Sequence, residues 1–295
     1  MALAFQATAL AQASKFQTRT QKGKAGLTMG YRLFIPSGYD KTRKYPLVLA
    51  LHGSGERDTN NTSQLTANQL ATAWTADSVQ NRVPHFVLAP QCPKGSTWVY
   101  YGKPGDAVPF SGTLNIVLEI VDSLAREFSL DADRNYLIGL SMGGYASWDL
   151  AVRFPDRFAA VVPICGAGDT TKAALIKGLP IWAFHGDMDL SVNVSGSRNM
   201  IAAIKRAGGD PIYVEYAGVG HDSWTRAMKE PGLFPWMLAQ KRPGSTRLEP
   251  TSRTRAISVA SDVHGLYRPD GRFLPSRDEK PNPEGRGLFI PPFGD

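Results

Sequence analysis

A mostly parallel sheet covered by helices on both faces is the fold class that this 295-residue sequence predicts. Three observations predict it. Short apolar runs recur along the chain without the polar alternation of a half-solvated strand, which fits strands buried on both faces. Segments of helical periodicity lie between those runs, as βαβ units require. The composition, 42% hydrophobic and 20% charged, is that of a globular domain able to bury such a sheet.

The elements follow in order. MGYRLFIP (29–36) alternates like a strand and stops at Pro36. PLVLALHG (46–53), HFVLAP (85–90), NYLIGL (135–140), FAAVVPIC (158–165), PIWAFHG (180–186) and PIYVEYAG (211–218) read as buried strands. Helical patterns cover TANQLATAWTADSV (66–79), TLNIVLEIVDSLAREF (113–128), GGYASWDLAVRF (143–154) and SGSRNMIAAIKRAG (195–208). Pro155 ends the third and Gly208-Gly209 the fourth. Three parts result: a flexible leader over 1–26, a folded α/β domain over 27–242, and a Pro-, Gly- and Arg-rich tail over 243–295. The tail's composition cannot offset chain entropy and predicts disorder.

The net charge of +7 raises the question of nucleic acid. Lys15, Arg19, Lys22, Lys24 and Arg32 lie before residue 40, where no acidic residue offsets them, and they account for five of those seven charges. Most of the excess therefore sits on the expected leader rather than on a domain face, and no nucleic-acid partner is expected. No apolar run is long enough to span a membrane. Cys92 and Cys165 make neither a disulfide framework nor a zinc pattern and read as buried thiols, so no metal or cofactor is expected. Ala11-Gln12-Ala13 resembles an export cleavage site, although no basic n-region precedes it. A secreted or periplasmic location is the expectation from it, with a cytoplasmic one as the alternative.

Gly139-Leu140-Ser141-Met142-Gly143 matches G-x-S-x-G, a pattern weak by itself, since it arises by chance in about one chain in ten of this length. Its setting strengthens it. NYLI supplies a strand ahead, YASWDLAVRF a helix behind, and Gly143-Gly144 a turn without side chains. A serine hydroxyl needs a base, and the base an orienting carboxylate. Of the histidines after Ser141, His185 ends a buried run and His264 lies in the tail, whereas His221 sits in the loop GVGHDSW beyond a strand. His221 is the predicted base. FHGDMDLSV offers Asp187 and Asp189 as the acid, and spacing does not choose between them; Asp222 is a weaker third. Met142 would give one oxyanion donor, and the loop His52-Gly53-Ser54-Gly55 the other. Trp98, Tyr100, Tyr101 and Trp224 are candidates to line a substrate pocket, Trp98 and Trp224 foremost.

The segments LALHGSGERD, LAPQCP, YLIGLSMGGYASWDLAVRFPDRFAAVVPICG, FHGDMDLSV and GVGHDSW resemble the dienelactone-hydrolase/prolyl-oligopeptidase-like branch of the α/β-hydrolase superfamily. More closely, they are similar to its "predicted peptidase" or phospholipase/carboxylesterase-like serine esterases, neighbours of feruloyl esterases and polyhydroxybutyrate depolymerases. The resemblance spans roughly residues 27–242. It implies that the acid is Asp189, by an H-G-x-x-D pattern, and that Ser54 donates to the oxyanion. The family often reads G-E-R-G where this chain has Gly55-Glu56-Arg57-Asp58. Only the insert GAGDTTKAALIKGL stands where a lid domain would be, so none is expected. The implied activity is hydrolysis of small carboxylic esters, among them phenolic or acetyl esters of polysaccharides, through an acyl-enzyme on Ser141. A serine peptidase, or a non-catalytic binding protein on the same scaffold, is the alternative.

Overall fold

The computed structural model describes residues 11–242, 266–267 and 273–274. Eight strands form one sheet: β1 Gln17–Lys22, β2 Thr28–Phe34, β3 Tyr45–Leu51, β4 Phe86–Pro90, β5 Leu130–Leu140, β6 Ala160–Ile164, β7 Trp182–Gly186 and β8 Ile212–Tyr216. Their spatial order is β1-β2-β4-β3-β5-β6-β7-β8. From β4 to β8 every pairing is parallel, and β1 and β2 add an antiparallel edge. The predicted α/β class and its mostly parallel sheet are what the chain forms.

The period-2 geometry of β3 explains why its sequence reads as an unbroken apolar run. Leu47, Leu49 and Leu51 join one core, and Val48 and Ala50 join the other. Helices α1 Gly112–Glu127, α2 Met142–Arg153 and α3 Ser195–Arg206 contribute buried residues to the first core. The short helix α4 Leu233–Ala239 and the segment around Leu65, Leu70 and Trp74 contribute to the second. In α1, Leu114, Val117, Val121 and Leu124 recur at the three- and four-residue spacing of one helical face. Ser111 caps that helix by accepting from the Leu114 N–H at 3.0 Å.

The chain runs from β3 to β4 on one side of the sheet and returns through α1 to β5 on the other. That reversal falls at the carboxyl ends of β3 and β5, the position at which open α/β sheets bind ligands.

Three expectations are corrected. The leader is not a free arm from residue 11 onward: β1 pairs along its length with β2, Ala13 and Phe16 are buried, and Gln12 accepts from the Thr75 hydroxyl at 2.9 Å. Two of its basic residues are correspondingly engaged, with Arg19 forked onto Glu127 at 2.7 and 2.8 Å and Lys15 on Asp77 at 3.2 Å. Residues 66–79 are not one helix but a short helix Ser63–Thr66, a 3-10 turn Thr72–Thr75 and a helical turn Asp77–Gln80. Asn68 breaks the pattern, because its side-chain oxygen takes the Leu70 N–H at 2.9 Å. Finally, β5 begins at Leu130, ahead of the apolar run, because Leu130 pairs with Tyr45 across a register shift in β3.

Between β6 and β7 the insert is a single 3-10 turn, Thr170–Ile176, with no added domain among the described residues. In the tail, β9 Leu266–Tyr267 and β10 Phe273–Leu274 pair antiparallel. The rest of 243–295, His264 included, lies outside the described residues, as do residues 1–10. No helix among the described residues is long and apolar enough to cross a membrane.

Candidate active site

Ser141 occupies the turn between β5 and α2 at φ 52° and ψ −117°, a left-handed backbone that a non-glycine residue adopts at a cost. The glycines around it make that turn possible. A Cβ on Gly143 would strike the carbonyl oxygen of Leu51, and one on Gly139 would strike that of Gly143. The serine therefore stands just beyond the carboxyl end of β5, with β3 packed directly against the start of its helix.

His221 and Asp189 meet it there. The His221 Nε2 lies 2.9 Å from Ser141 Oγ, and its Nδ1 lies 2.7 Å from Asp189 Oδ2. Asp189 is buried. Its Oδ1 accepts from the amides of Ser191 and Val192, each at 2.8 Å, and its Oδ2 is also 3.2 Å from His185 Nε2. Burial pushes the Asp189 carboxyl up, but hydrogen bonds from His185, His221 and the Val192 amide outweigh it and hold the group below the usual carboxylate range. An anion at Asp189 orients His221 with its proton on Nδ1, which leaves Nε2 free to accept from Ser141.

The alternative acids face elsewhere. Asp187 accepts from the Gly218 N–H at 2.7 Å, and Asp222 accepts from the Thr225 N–H at 3.1 Å at the start of a helical turn. His185 is wholly buried, with Nδ1 2.7 Å from Ser197 Oγ.

The amide of Met142 is the first of α2 and so has no acceptor within its own helix. Ser54 opens the 3-10 turn Ser54–Glu56, and a Cβ on the preceding Gly53 would come within 3.5 Å of the Ser141 Cβ. The loop 52–54 is thus pressed against the candidate nucleophile.

Trp98 does not line a pocket. Its side chain is 0% exposed, its ring packs 5.1 Å from that of His52, and its Nε1 donates to the His52 carbonyl at 3.0 Å. The indole N–H needs an acceptor once buried, and it finds one in the loop that carries Ser54, so the residue anchors that loop from beneath. Trp224 stands edge-on to His221, 5.3 Å between ring centroids. Tyr101, 57% exposed, makes a T-shaped pair with Tyr145, one turn along α2 from Ser141. Tyr145 escaped the sequence reading because it falls inside a helical pattern, as Asn68 does.

Donor atoms of Cys165, Asp189 and His221 lie within 4.8 Å of one another. They do not suit a metal. Asp189 and His221 are already bonded to each other, and burial pushes the Cys165 thiol up to about 12, far from the thiolate a metal needs. Both cysteines are free and buried.

A serine in a strained strand-to-helix turn, joined through a histidine to a buried carboxylate at the carboxyl edge of a parallel sheet, defines the serine hydrolases of the α/β-hydrolase fold. Within that class the chain belongs to the esterase family whose model is described as "Putative esterase", which matches residues 24–200.

Among solved structures, the chain is similar to a thermostable esterase, at 38% identity and a TM-score of 0.76, over 79% of this chain and 64% of that one. It is 31% identical over 135 residues to "Poly(3-hydroxyalkanoate) depolymerase C" of Paucimonas lemoignei, 45% of this chain and 30% of that protein. It is 24% identical over 206 residues to "Probable feruloyl esterase C" of Aspergillus niger, 66% of this chain and 68% of that protein. The chain thus spans less than two thirds of the depolymerase and of the thermostable esterase.

Proposed function

We propose that this protein hydrolyses carboxylic esters through an acyl-enzyme on Ser141. The observation that carries the reading is the continuous hydrogen-bonded chain Ser141 Oγ–His221 Nε2 and His221 Nδ1–Asp189, with its serine in a strained turn. Ser141 Oγ bonds to the ester carbonyl carbon while its proton passes to His221 Nε2. The carbonyl oxygen becomes an oxyanion facing the amides of Met142 and Ser54. As the intermediate collapses, the carbon–oxygen bond to the alcohol breaks and His221 returns the proton to the departing alkoxide. Water then attacks the acyl carbon, gives its proton to His221, and the serine leaves carrying that proton. Asp189 stays ionised throughout and steadies the imidazolium.

For substrate class, the reading is small acetyl or phenolic esters, including those borne on polysaccharides. Its support is the family, the feruloyl esterase relative, and the aromatic rings of Trp224 against His221 and of Tyr101 against Tyr145. A panel of p-nitrophenyl acetate, methyl ferulate, acetylated xylan and a peptide p-nitroanilide, run on wild type and Ser141→Ala, tests both parts. We expect a burst on the aryl acetate, covalent labelling by a serine-directed phosphonate, and loss of both in Ser141→Ala. Equal turnover by wild type and Ser141→Ala would sink the mechanism. Turnover of the anilide above the esters would favour the peptidase.

A further inference from the structure

The loop that carries Ser54 is tied down from several sides. Trp98 donates to the His52 carbonyl, Arg57 Nε to the Ser54 carbonyl at 2.9 Å, and Gln91 Nε2 to the Glu56 carbonyl at 3.1 Å. His52 accepts at Nε2 from the Cys92 N–H at 2.9 Å, so its proton sits on Nδ1, 2.6 Å from the Gly53 carbonyl. One group in this assembly lacks a full set of partners. The Glu56 side chain is 12% exposed; its Oε1 accepts from Asn68 Nδ2 at 3.2 Å, and its Oε2 is buried without a well-formed hydrogen bond, the Gly53 and Glu56 backbone lying near the carboxyl. It lies close to the chemistry, since a Cβ on Gly53 would meet Glu56 Oε2 at 3.2 Å and the Ser141 Cβ at 3.5 Å.

A buried carboxylate with one unsatisfied oxygen is costly unless a cation pairs with it. The candidates do not pair. Arg57, the nearest arginine in sequence, gives Nε to Ser54 and Nη1 to the Ser96 carbonyl at 3.2 Å. The ring of His52, whose Nδ1 is 3.7 Å from Oε2, is neutral, because burial brings it down to about 4 against the pull of the Gly53 carbonyl. The neighbouring Cys92 thiol is also held uncharged, pushed by burial up to about 12. Across the loop stand His221 and the Asp189 anion, the latter already satisfied by four partners.

We propose that Glu56 is a positioning residue for ester hydrolysis that works uncharged: its neutral carboxyl, braced by Asn68, backs the oxyanion loop, and a charge there would oppose the oxyanion forming on the other side. The inference rests on the Ser141 reading above. Burial raises the Glu56 carboxyl against the opposing pull of Asn68 and the Gly53 and Glu56 backbone, so the neutral form persists further toward neutral pH and the charge arrives as pH rises. A negative charge behind a site built to hold an oxyanion works against transition-state stabilisation, whose single-donor losses reach about 100-fold.

The test compares Glu56→Gln, Glu56→Ala and wild type on p-nitrophenyl acetate from pH 5 to 9. Glu56→Gln keeps shape and neutrality. It is expected to match wild type within about 3-fold at the acid end and to exceed it by a ratio growing to about 10-fold at the alkaline end. Glu56→Ala is expected to lower kcat by about 10-fold with KM nearly unchanged, since only the transition state needs the loop in register. Superimposable pH profiles of wild type and Glu56→Gln would overturn the inference, as would a Gln variant as impaired as Ala. If Glu56→Ala does not fold, the Gln profile decides. Ser141→Ala run in parallel separates the two layers: activity there overturns the Ser141 reading and this inference together, whereas an inactive Ser141→Ala with superimposable profiles overturns the inference alone.

Discussion

Asp189→Asn is the substitution whose outcome follows most directly from the geometry. The aspartate presents two different faces: Oδ1 to the amides of Ser191 and Val192, donors that cannot give up their protons, and Oδ2 to two imidazoles, His221 Nδ1 and, at 3.2 Å, His185 Nε2. An asparagine must keep its carbonyl oxygen toward the two amides, because turning its NH2 there would oppose donors to donors. The NH2 then faces His221 Nδ1 and is satisfied only if that nitrogen gives up its proton. The proton moves to Nε2, which becomes a donor and can no longer accept from Ser141, 2.9 Å away.

The same substitution in the serine-protease triad costs about 10⁴ in kcat, on the order of 5 kcal/mol, and we expect a loss of that size here. The fold should be spared more than the rate, by about 1–2 kcal/mol, because the two backbone bonds survive. Burst kinetics on p-nitrophenyl acetate measure the first figure and denaturant unfolding the second. The stability gap also has a pH sign. A carboxyl held low in the folded state contributes stability above its unfolded value, near 4, and loses it as pH falls toward the folded value, so the gap between wild type and Asp189→Asn should narrow below about pH 4. Asp187→Asn, whose oxygen can still accept from Gly218, is the matched control and should keep near-normal kcat. An Asp189→Asn enzyme retaining more than about a tenth of wild-type kcat would refute the tautomer argument.

Three further outcomes are expected. Trp98→Phe removes the donor to the buried His52 carbonyl and should cost about 1–3 kcal/mol in unfolding free energy together with a several-fold fall in kcat; a fully active, equally stable variant would show that the anchor is dispensable. Gly143→Ala drives a methyl into the Leu51 carbonyl, where only backbone movement could relieve it, and should lower stability by about 3 kcal/mol or more in a thermal melt. Cys92 and Cys165, wholly buried and both pushed up to about 12, should resist a thiol reagent in the native protein and react once guanidinium unfolds it; rapid native labelling would contradict their placement.

What the sequence made legible was whatever depends on local periodicity or on a turn too tight for side chains. β3 reads as a strand because both of its faces are buried, and Ser141 stands out because Gly139 and Gly143 have no room for a Cβ. The choice of His221 over His185 could be made from loop position alone, since one follows a strand and the other ends one. Asp189 over Asp187 could not: two carboxylates two residues apart in one turn differ only in which backbone amides they find, and that is set by the path of residues 186–192. Trp98 misled for a related reason. An aromatic after a strand is equally at home facing solvent or core, and it is the His52 carbonyl, 46 residues earlier, that draws its N–H inward. Glu56 and Asn68 were invisible as a pair because their contact joins a loop to a segment whose apolar spacing imitates a helix. Asn68 breaks that helix by bonding Leu70, and the same break leaves its amide free to reach Glu56. The irregularity that defeated the helical reading of residues 66–79 is therefore part of what braces the oxyanion loop. A substitution restoring helical propensity at Asn68 would regularise the segment and leave Glu56 without its partner.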